Sequence, residues 1–454
     1  MTGTITDVVQ QFKNDWTSLL EPAAIQSACR AIGYRWRERL LDPVVTLQLF
    51  LVQILHGNTA CSHLRHLTKL AVTASAYCQA RAKLPLALFQ TLLRAVSDRL
   101  QETSLEEGCW LGHRTFFVDG SGFSMPDTAA LQARFGQPGG QRAGCGFPVA
   151  HLMALFHAGT GMLVEVFAAP LRVHDLSQVA QVHPALRGGD VLVADRGFCS
   201  YVHLALLFER GVQAVIRIHQ KQIVDFTPGR PHVVPGKGKS QKKVGRPRSR
   251  WIRQLGATDQ IVQWLKPIDG PDWLGAAQFA ALPDAIRVRE LRYQVQRPGF
   301  RVKTITLVTT LLDADLYTVE ELSQLYFARW RIEVNFAHLK TTMGMDVLKC
   351  KSVDGVLKEL IVFALVYNLV RAVMGAAALR QGVDVERVSF LDAARWLAAA
   401  IPAEPLIRLV VNPPRPCRYE PRVRKRRPKQ FPLMKAPRNV LVLRKSLANN
   451  IDTD

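Results

Sequence analysis

The sequence lacks closely spaced cysteines. Its eight cysteines are dispersed, with no Cys-x2-Cys pair among them. Zinc sites and disulfide frameworks both depend on cysteines at characteristic spacings. We therefore expect reduced, mostly buried thiols in a cytoplasmic protein, and neither a zinc site nor a disulfide framework. The eight are Cys29, Cys61, Cys78, Cys109, Cys145, Cys199, Cys350 and Cys417.

Signals for export, membrane insertion and nucleotide hydrolysis are also lacking. The first twenty residues contain acids and no apolar core, so they do not resemble a signal peptide. The most apolar runs, Val44 to Leu55 and Ile361 to Val370, are too short to span a bilayer, and we expect no membrane partner. A phosphate loop of the form G-x4-G-K-S would need Gly where Val233 stands.

Positive charge is abundant, and it is unevenly distributed. The net charge is +22, and 48% hydrophobic content is typical of a globular protein. Residues 221–303 hold 17 Lys or Arg against 6 acids, and residues 404–454 hold 13 against 4. Basic blocks of this kind indicate a polyanionic partner, which we expect to be double-stranded DNA. A solvated basic surface is the plainer interpretation of scattered lysines.

One segment places four functional side chains at the spacing Y-x2-R-x3-E-x6-K. They are Tyr326, Arg329, Glu333 and Lys340. On a regular α-helix these offsets fall within a stripe about 60° wide. Thr318 and Glu321 form a capping box at the start of the predicted helix. An acid between cations and a phenol suits a phosphodiester substrate, although a solvated helix face would look the same.

Further acids stand at the ends of two apolar runs. Asp119 follows Thr115 to Val118, and Asp195 follows Val191 to Ala194. Continuous apolar runs are typical of buried central strands, whose ends collect the functional groups of α/β sheets. Two-metal phosphoryl transfer needs several carboxylates around ions about 3.5–4 Å apart. An Asp before Gly is also an ordinary turn former, so each acid alone is weak evidence.

With these residues assembled, the chain resembles the DDE transposases of bacterial insertion sequences, in the branch named for its Y-R-E-K signature. The resemblance extends over roughly residues 40 to 440 and includes segments beyond the acids. These segments are Asp119-Gly120-Ser121-Gly122-Phe123-Ser124-Met125-Pro126-Asp127-Thr128, Phe135-Gly136-Gln137-Pro138-Gly139-Gly140-Gln141 and Asp195-Arg196-Gly197-Phe198. Because three ordered motifs coincide, the resemblance is specific.

The resemblance implies a mechanism and a set of partners. Asp119, Asp195 and Glu333 would be catalytic and would bind two Mg²⁺ ions, which Mn²⁺ could replace. The DNA phosphates would be held by Tyr326, Arg329 and Lys340. The family branch cleaves the ends of its element and joins them to target DNA, cutting and pasting through DNA hairpins. It acts as a homodimer in a synaptic complex, here expected on the nucleoid in the cytoplasm.

The resemblance also implies a tryptophan that stacks on a flipped base. In this branch the tryptophan lies in the inserted domain. Trp251, Trp264 and Trp273 are the candidates, and each is equally plausible as a core residue.

Together, pattern and resemblance predict an RNase H-like α/β catalytic core, interrupted by a β-rich insertion and preceded by an all-helical N-terminal domain. The helices of residues 1–108 are expected to bind DNA, although a packing or dimer module would look the same. The core is predicted in two parts, 109–218 and 304–403. Between them lies the basic insertion, 219–303, and the basic tail is 404–454.

Two other functions remain open. A two-metal nuclease of the same fold would cut DNA without strand transfer. A catalytically silent, transposase-derived DNA-binding protein would keep the basic surface without needing the acids. A ribosome-associated protein would also be basic, but it has no need for the acid triad.

Overall fold

The computed structural model describes ten stretches of the chain. They are residues 20–68, 70–103, 109–142, 144–173, 175–233, 245–295, 303–399, 406–413, 436–437 and 439–444. Cys417, Lys242, Lys243 and the basic run at 422–429 lie outside them.

Within the described residues 20–103, five helices precede the first strand, as the apolar periodicity predicts. They are α1 (Pro22–Ala31), α2 (Pro43–Leu55), α3 (Leu64–Thr68), α4 (Ala74–Lys83) and α5 (Leu86–Thr103), with a 3₁₀ turn at Cys61–His63. Asp42 caps α2, because its carboxylate accepts a hydrogen bond from the backbone N–H of Val45. Thr73 caps α4 in the same way.

Nine strands form a single sheet. They are β1 (Thr115–Ser124), β2 (Val149–His157), β3 (Leu163–Pro170), β4 (Val191–Ala194), β5 (Gln213–Arg217), β6 (Ser249–Gly256), β7 (Asp259–Leu265), β8 (Ala285–Val295) and β9 (Lys303–Thr309). Their order across the sheet is β3-β2-β1-β4-β5-β9-β8-β7-β6. β1 is parallel to β4, and β4 is parallel to β5. All other pairings are antiparallel, so the sheet is mixed and the predicted α/β class is confirmed.

The predicted insertion contributes strands that continue this sheet. β6, β7 and β8 hydrogen-bond in series, and β8 pairs with β9, which in turn pairs with β5. The β content expected for 219–303 is therefore present. The hydrogen-bonded ladder runs without interruption from these strands to β4. The domain boundaries themselves stay a prediction.

Among the described residues 129–399, eight further helices surround the sheet. They are α6 (Ala129–Phe135), α7 (Asp175–Gln178), α8 (Tyr201–Glu209), α9 (Ala276–Ala281), α10 (Val319–Ala328), α11 (Arg331–Ala337), α12 (Val353–Gln381) and α13 (Phe390–Ala399). Alternate residues of β4 point to opposite faces: Val191 and Val193 pack into one apolar cluster, Leu192 and Ala194 into another. Both faces of the strand are therefore covered, which explains its uninterrupted apolar sequence.

Helix α12 is the central helix of one layer. Among the described residues it alone is long and apolar enough to cross a membrane, yet 89% of its apolar window is buried inside the protein. It packs against α2, α5, β3 and α13. A buried core helix of a folded protein passes the same test of length and composition, so this is weak evidence for a membrane span.

Candidate active site

Two carboxylates lie side by side at the end of neighbouring parallel strands. In the register of β1 and β4, Val118 is opposite Ala194. Asp119, which is within β1, and Asp195, which follows β4, are the next residues of the two strands, so the acids are neighbours where the parallel pairing ends. The expectation that the two apolar runs are adjacent strands is therefore met.

Two side chains from the end of α10 contact these acids. The guanidinium of Arg329 donates through Nη1 to Oδ2 of Asp119 at 3.1 Å. The hydroxyl of Tyr326 donates to Oδ1 of Asp195, also at 3.1 Å. Tyr326 is 3% exposed and Arg329 is 6% exposed. Tyr326 and Arg329, three positions apart, therefore each bind one of the two acids.

The environment acts differently on the two carboxyl groups. Burial raises the pKa of Asp119, and the negative charge of Asp195 raises it further. A hydrogen bond from the backbone of Gly120 and the charge of Arg329 act in the opposite direction but do not outweigh the burial. Burial also acts to raise the pKa of Asp195. The backbone N–H of Arg196, the charge of Arg329 and the hydroxyl of Tyr326 outweigh it, so the pKa of Asp195 is lowered. Asp195 is consequently the more readily ionised acid of the pair.

The phenol of Tyr326 is held in its neutral form. Burial, followed by the neighbouring charge of Asp195, raises its pKa to about 12. Near neutral pH the hydroxyl keeps its proton and can act as a hydrogen-bond donor to an anionic oxygen.

The spacing predicted that the Y-R-E-K residues lie on one regular α-helix. The structure shows instead that this segment is interrupted. Between α10 and α11 the hydrogen bonds shorten to the i+3 pattern, with Glu333 N–H donating to the carbonyl of Trp330. A 3₁₀ turn has 3.0 residues per turn and rotates the following side chains away from the α-helical stripe. A π-helical turn, His338–Thr342, then unwinds the helix before it ends.

Lys340 lies on that π-helical turn and points back to β1. Its Nζ donates to Oγ of Ser121 at 3.1 Å. Ser121 is two residues beyond Asp119 on the same strand, so both side chains leave the same face of the sheet. Lys340 therefore lies on the same face of the sheet as Arg329. The hydroxyl of Ser121 connects its ammonium group to β1, the strand that carries Asp119.

Glu333 is not gathered with the two aspartates. It is exposed on the first turn of α11, and its carboxylate makes no hydrogen bond or ion pair with the part of the chain that the structure describes. Within those residues no group of three His, Cys, Asp or Glu side chains is arranged to hold a metal ion. The role of Glu333 as the third acid stays a prediction.

The donor set nevertheless suits a hard divalent cation in part. Asp119 and Asp195 present carboxylate oxygens from one edge of the sheet, and Mg²⁺ prefers oxygen ligands of this kind. In this structure Asp119 accepts a hydrogen bond from Arg329, and Asp195 accepts one from Tyr326. These two acids fit a shared ion, and a third ligand is required for a second ion.

Sequence reasoning missed a third cation beside the acids. Arg217, the last residue of β5, lies close enough to Asp195 and Tyr326 for its charge to lower the pKa of both. Its signal was available in the sequence, because β5 is another apolar run and Arg217 ends it just as Asp195 follows β4.

An ion pair on the opposite face of β1 was also missed. His151 Nε2 contacts Oδ1 of Asp175. A Cβ on Gly120 would lie 2.8 Å from that Asp175 oxygen and 2.9 Å from Cε1 of His151. A side chain at residue 120 would therefore require the ends of the Asp175 and His151 side chains to move, which is a reason for the glycine after Asp119 that turn chemistry alone does not give. The charge of Asp175 contributes to the raised pKa of Asp119.

The three candidate base-stacking tryptophans are not free platforms. Trp264 is 4% exposed and packs in the apolar core, where its Nε1 donates to Glu290 at 2.8 Å. Trp273 packs against the same core cluster. Trp251 is half-buried on β6 and donates to Gln254. Trp264 is therefore better interpreted as a core residue than as a residue that stacks on a flipped base.

Comparison with known proteins gives one family match. A family model described as "Transposase DDE domain" matches residues 110–369, which is more than half of the chain. This range includes Asp119, Asp195, Glu333 and the cations around them. No curated protein matches the chain.

Two solved structures are distantly similar. The piggyBac transposase synaptic complex with hairpin DNA has 11% sequence identity and a TM-score of 0.40, covering 87% of this chain and 76% of that one. The pre-cleavage Mos1 transpososome has 9% identity and a TM-score of 0.16, covering 40% of this chain and 60% of that one. At this distance neither likeness bears on the position of any side chain.

Proposed function

This chain belongs to the transposase DDE domain family, and we propose that it cleaves the ends of a bacterial insertion sequence and joins them to target DNA. The observation that carries the proposal is the pair of adjacent strand-end acids, Asp119 and Asp195, each held by a residue of the Y-R-E-K set. A decayed DNA-binding relative would have no need for this arrangement.

We assign the chemistry to phosphoryl transfer assisted by divalent metal. Bound Mg²⁺ would activate the attacking oxygen and stabilise the leaving oxygen of an in-line displacement. Asp119 and Asp195 would hold the metal, with Glu333 as the third ligand. Their carboxylates must ionise and exchange the hydrogen bonds of Arg329 and Tyr326 for metal contacts.

The surrounding cations supply the site for the phosphodiester. Arg329 adds a fixed positive charge beside Asp119, and Lys340 adds another beside Ser121. Arginine can bind a phosphate through two parallel hydrogen bonds, and lysine acts as a point charge. The neutral hydroxyl of Tyr326 would be a third donor to a phosphate oxygen.

The proposal extends to the route and the assembly. The Y-R-E-K spacing supports the hairpin branch, in which the new 3′-hydroxyl attacks the opposite strand before it attacks target DNA. The insertion between β5 and β9, which is β-rich and basic, supports the domain layout of that branch. Two ends must be cut in one complex, so we propose a homodimer on double-stranded DNA, acting on the nucleoid in the cytoplasm.

A joining assay tests the proposed function. Linear DNA carrying the gene's flanking sequences is incubated with the protein, Mg²⁺ and a supercoiled target plasmid. We expect nicked ends, hairpin intermediates and joined products in which the free 3′ ends are consumed. Cleavage without joined products would identify a nuclease, and binding without cleavage would identify a silent DNA-binding protein.

Replacement of Arg329 by Gln should shift the acid side of the pH–rate profile to higher pH. The charge of Arg329 lowers the pKa of both Asp119 and Asp195, and metal binding requires both in ionised form. Without that charge the carboxylates ionise at higher pH, so activity is lost earlier as the pH falls. The measurement is the initial rate of end cleavage from pH 5 to 9. Arg331→Gln, a change at an exposed position two residues away, should leave the profile in place.

Replacement of Lys340 by Gln should weaken DNA binding in a salt-dependent way. If Lys340 binds one phosphate, its loss reduces the slope of log affinity against log salt by about 0.9. Ser121→Ala keeps the ammonium group and removes only its hydroxyl partner, so this variant should keep the slope. Fluorescence anisotropy across a salt series measures both. An unchanged slope for Lys340→Gln would contradict the phosphate assignment.

A further inference from the structure

Two thiols lie in contact far from the acid pair. Sγ of Cys61, at the start of the 3₁₀ turn, is 3.4 Å from Sγ of Cys78, in the middle of α4. Cys78 is exposed and Cys61 is half-buried. A disulfide bond is about 2.05 Å long, so the two sulfurs need to approach by little more than about 1 Å to form one.

A buried network holds the two cysteines together. Gln53 of α2 accepts hydrogen bonds at 2.9 Å from the hydroxyl of Tyr77 and from Nη1 of Arg81, both on α4. The amide of Gln53 also approaches Sγ of Cys61 at 3.9 Å. Tyr77 is 1% exposed, so α4 is anchored directly beside Cys78. The proximity of the thiols is therefore imposed by the fold.

We propose that Cys61 and Cys78 form a reversible redox pair that closes to an intramolecular disulfide when a small-molecule disulfide such as glutathione disulfide is present. The proposal does not rest on the transposase function. For this pair alone it goes beyond the expectation of reduced thiols, and the structure holds both as free cysteines.

The chemistry proceeds in two exchanges. The exposed Cys78 attacks glutathione disulfide as its thiolate, which forms a mixed disulfide and releases one glutathione thiolate. Cys61 then loses its proton and attacks the sulfur of Cys78, which releases the second glutathione. Two protein thiols are oxidised and one glutathione disulfide is reduced to two glutathione molecules. Burial raises the pKa of Cys61, which favours Cys78 as the first nucleophile.

The crosslink would join two elements that the chain connects only through α3. Its cysteines are 17 positions apart, so the bond closes a loop that carries Arg65 and His66. Closing a loop reduces the conformational freedom of the unfolded chain and restrains the orientation of the enclosed segment. The oxidised N-terminal helices are consequently more rigid than the reduced ones.

Peptide mapping after oxidation tests the pair. The full-length reduced protein is equilibrated with mixtures of glutathione and glutathione disulfide, alkylated at low pH and digested for mass spectrometry. We expect a peptide linked between Cys61 and Cys78, and the loss of two titratable thiols per chain, both reversed by excess glutathione. Cys109→Ser, a change at another half-buried cysteine, should leave the linked peptide unchanged.

The variants at the pair separate the two exchanges. Cys61→Ser should accumulate glutathione bound to Cys78, because the resolving thiol is gone. Cys78→Ser should form no linked peptide. Any of three results with wild-type protein in glutathione disulfide alone would overturn the proposal. These are the absence of any linked peptide, a mixed disulfide at Cys78 that goes no further, and a disulfide between two chains. The wild-type mapping decides the matter even if a variant fails to fold.

Discussion

Asp119→Asn is expected to reduce Mg²⁺-dependent cleavage of the element's ends by on the order of a thousandfold, which corresponds to about 4 kcal/mol of transition-state stabilisation. The amide keeps the size of the side chain but removes the charge that would hold the metal. Asp195→Asn should have an effect of similar size, because its carboxylate lies at the same edge of the sheet. Rates of nicking on end-labelled DNA measure both.

The same assay tests the proposed third acid, Glu333. Glu333→Gln should also abolish cleavage if the exposed carboxylate joins the aspartates once DNA and metal are bound. Asp269→Asn, a change at an exposed acid of the insertion, should cleave at the wild-type rate. Cleavage that persists in Asp119→Asn and Asp195→Asn, with unaltered melting temperatures, would show that the chemistry lies elsewhere.

Glu359→Ala is expected to lower the free energy of unfolding by about 3–5 kcal/mol, since it leaves several buried donors without an acceptor. Glu359 is 1% exposed on α12. Its carboxylate accepts hydrogen bonds from Nδ2 of Asn58 and from the backbone N–H groups of Lys349 and Cys350. This one side chain therefore joins the N-terminal helices to the segment that follows the active-site helices.

Urea denaturation measures the effect. Glu209→Ala, at an exposed position at the end of α8, should change the free energy of unfolding by less than about 0.5 kcal/mol. A loss below about 1 kcal/mol for Glu359→Ala would mean that water replaces the carboxylate and that the connection is not a principal support.

Most elements of the core could be predicted because their signals are local. The apolar run before Asp195 matches β4, and that before Asp119 matches the first part of β1. The apolar run Ile361 to Val370 lies within α12. Asp119 follows the buried first part of β1, and Asp195 follows the buried strand β4. A prediction that the two acids are close together therefore required only the assumption that β1 and β4 are neighbours.

The rest depended on contacts that local patterns do not encode. The 3₁₀ turn at Arg329 and Trp330 contains no Gly or Pro, so helical periodicity continues across it in the sequence while the backbone tightens. This turn therefore separates Glu333 from the neighbours that the predicted single stripe gave it. Ser121 was missed because its importance arises from Lys340 on the π-helical turn, 219 positions away along the chain. Arg217 was missed although its place at the end of an apolar run was visible in the sequence.

The hydrogen bonds that define this site also determine when during synthesis it can first exist. Asp119 meets Arg329 across 210 positions, and Asn58 meets Glu359 across 301. A ribosome that adds about 5–20 residues per second takes roughly 10–40 s to make the first of these spans. Throughout that interval the emerging polypeptide has its first aspartate but not its arginine, so a nascent or prematurely terminated chain does not contain the assembled site.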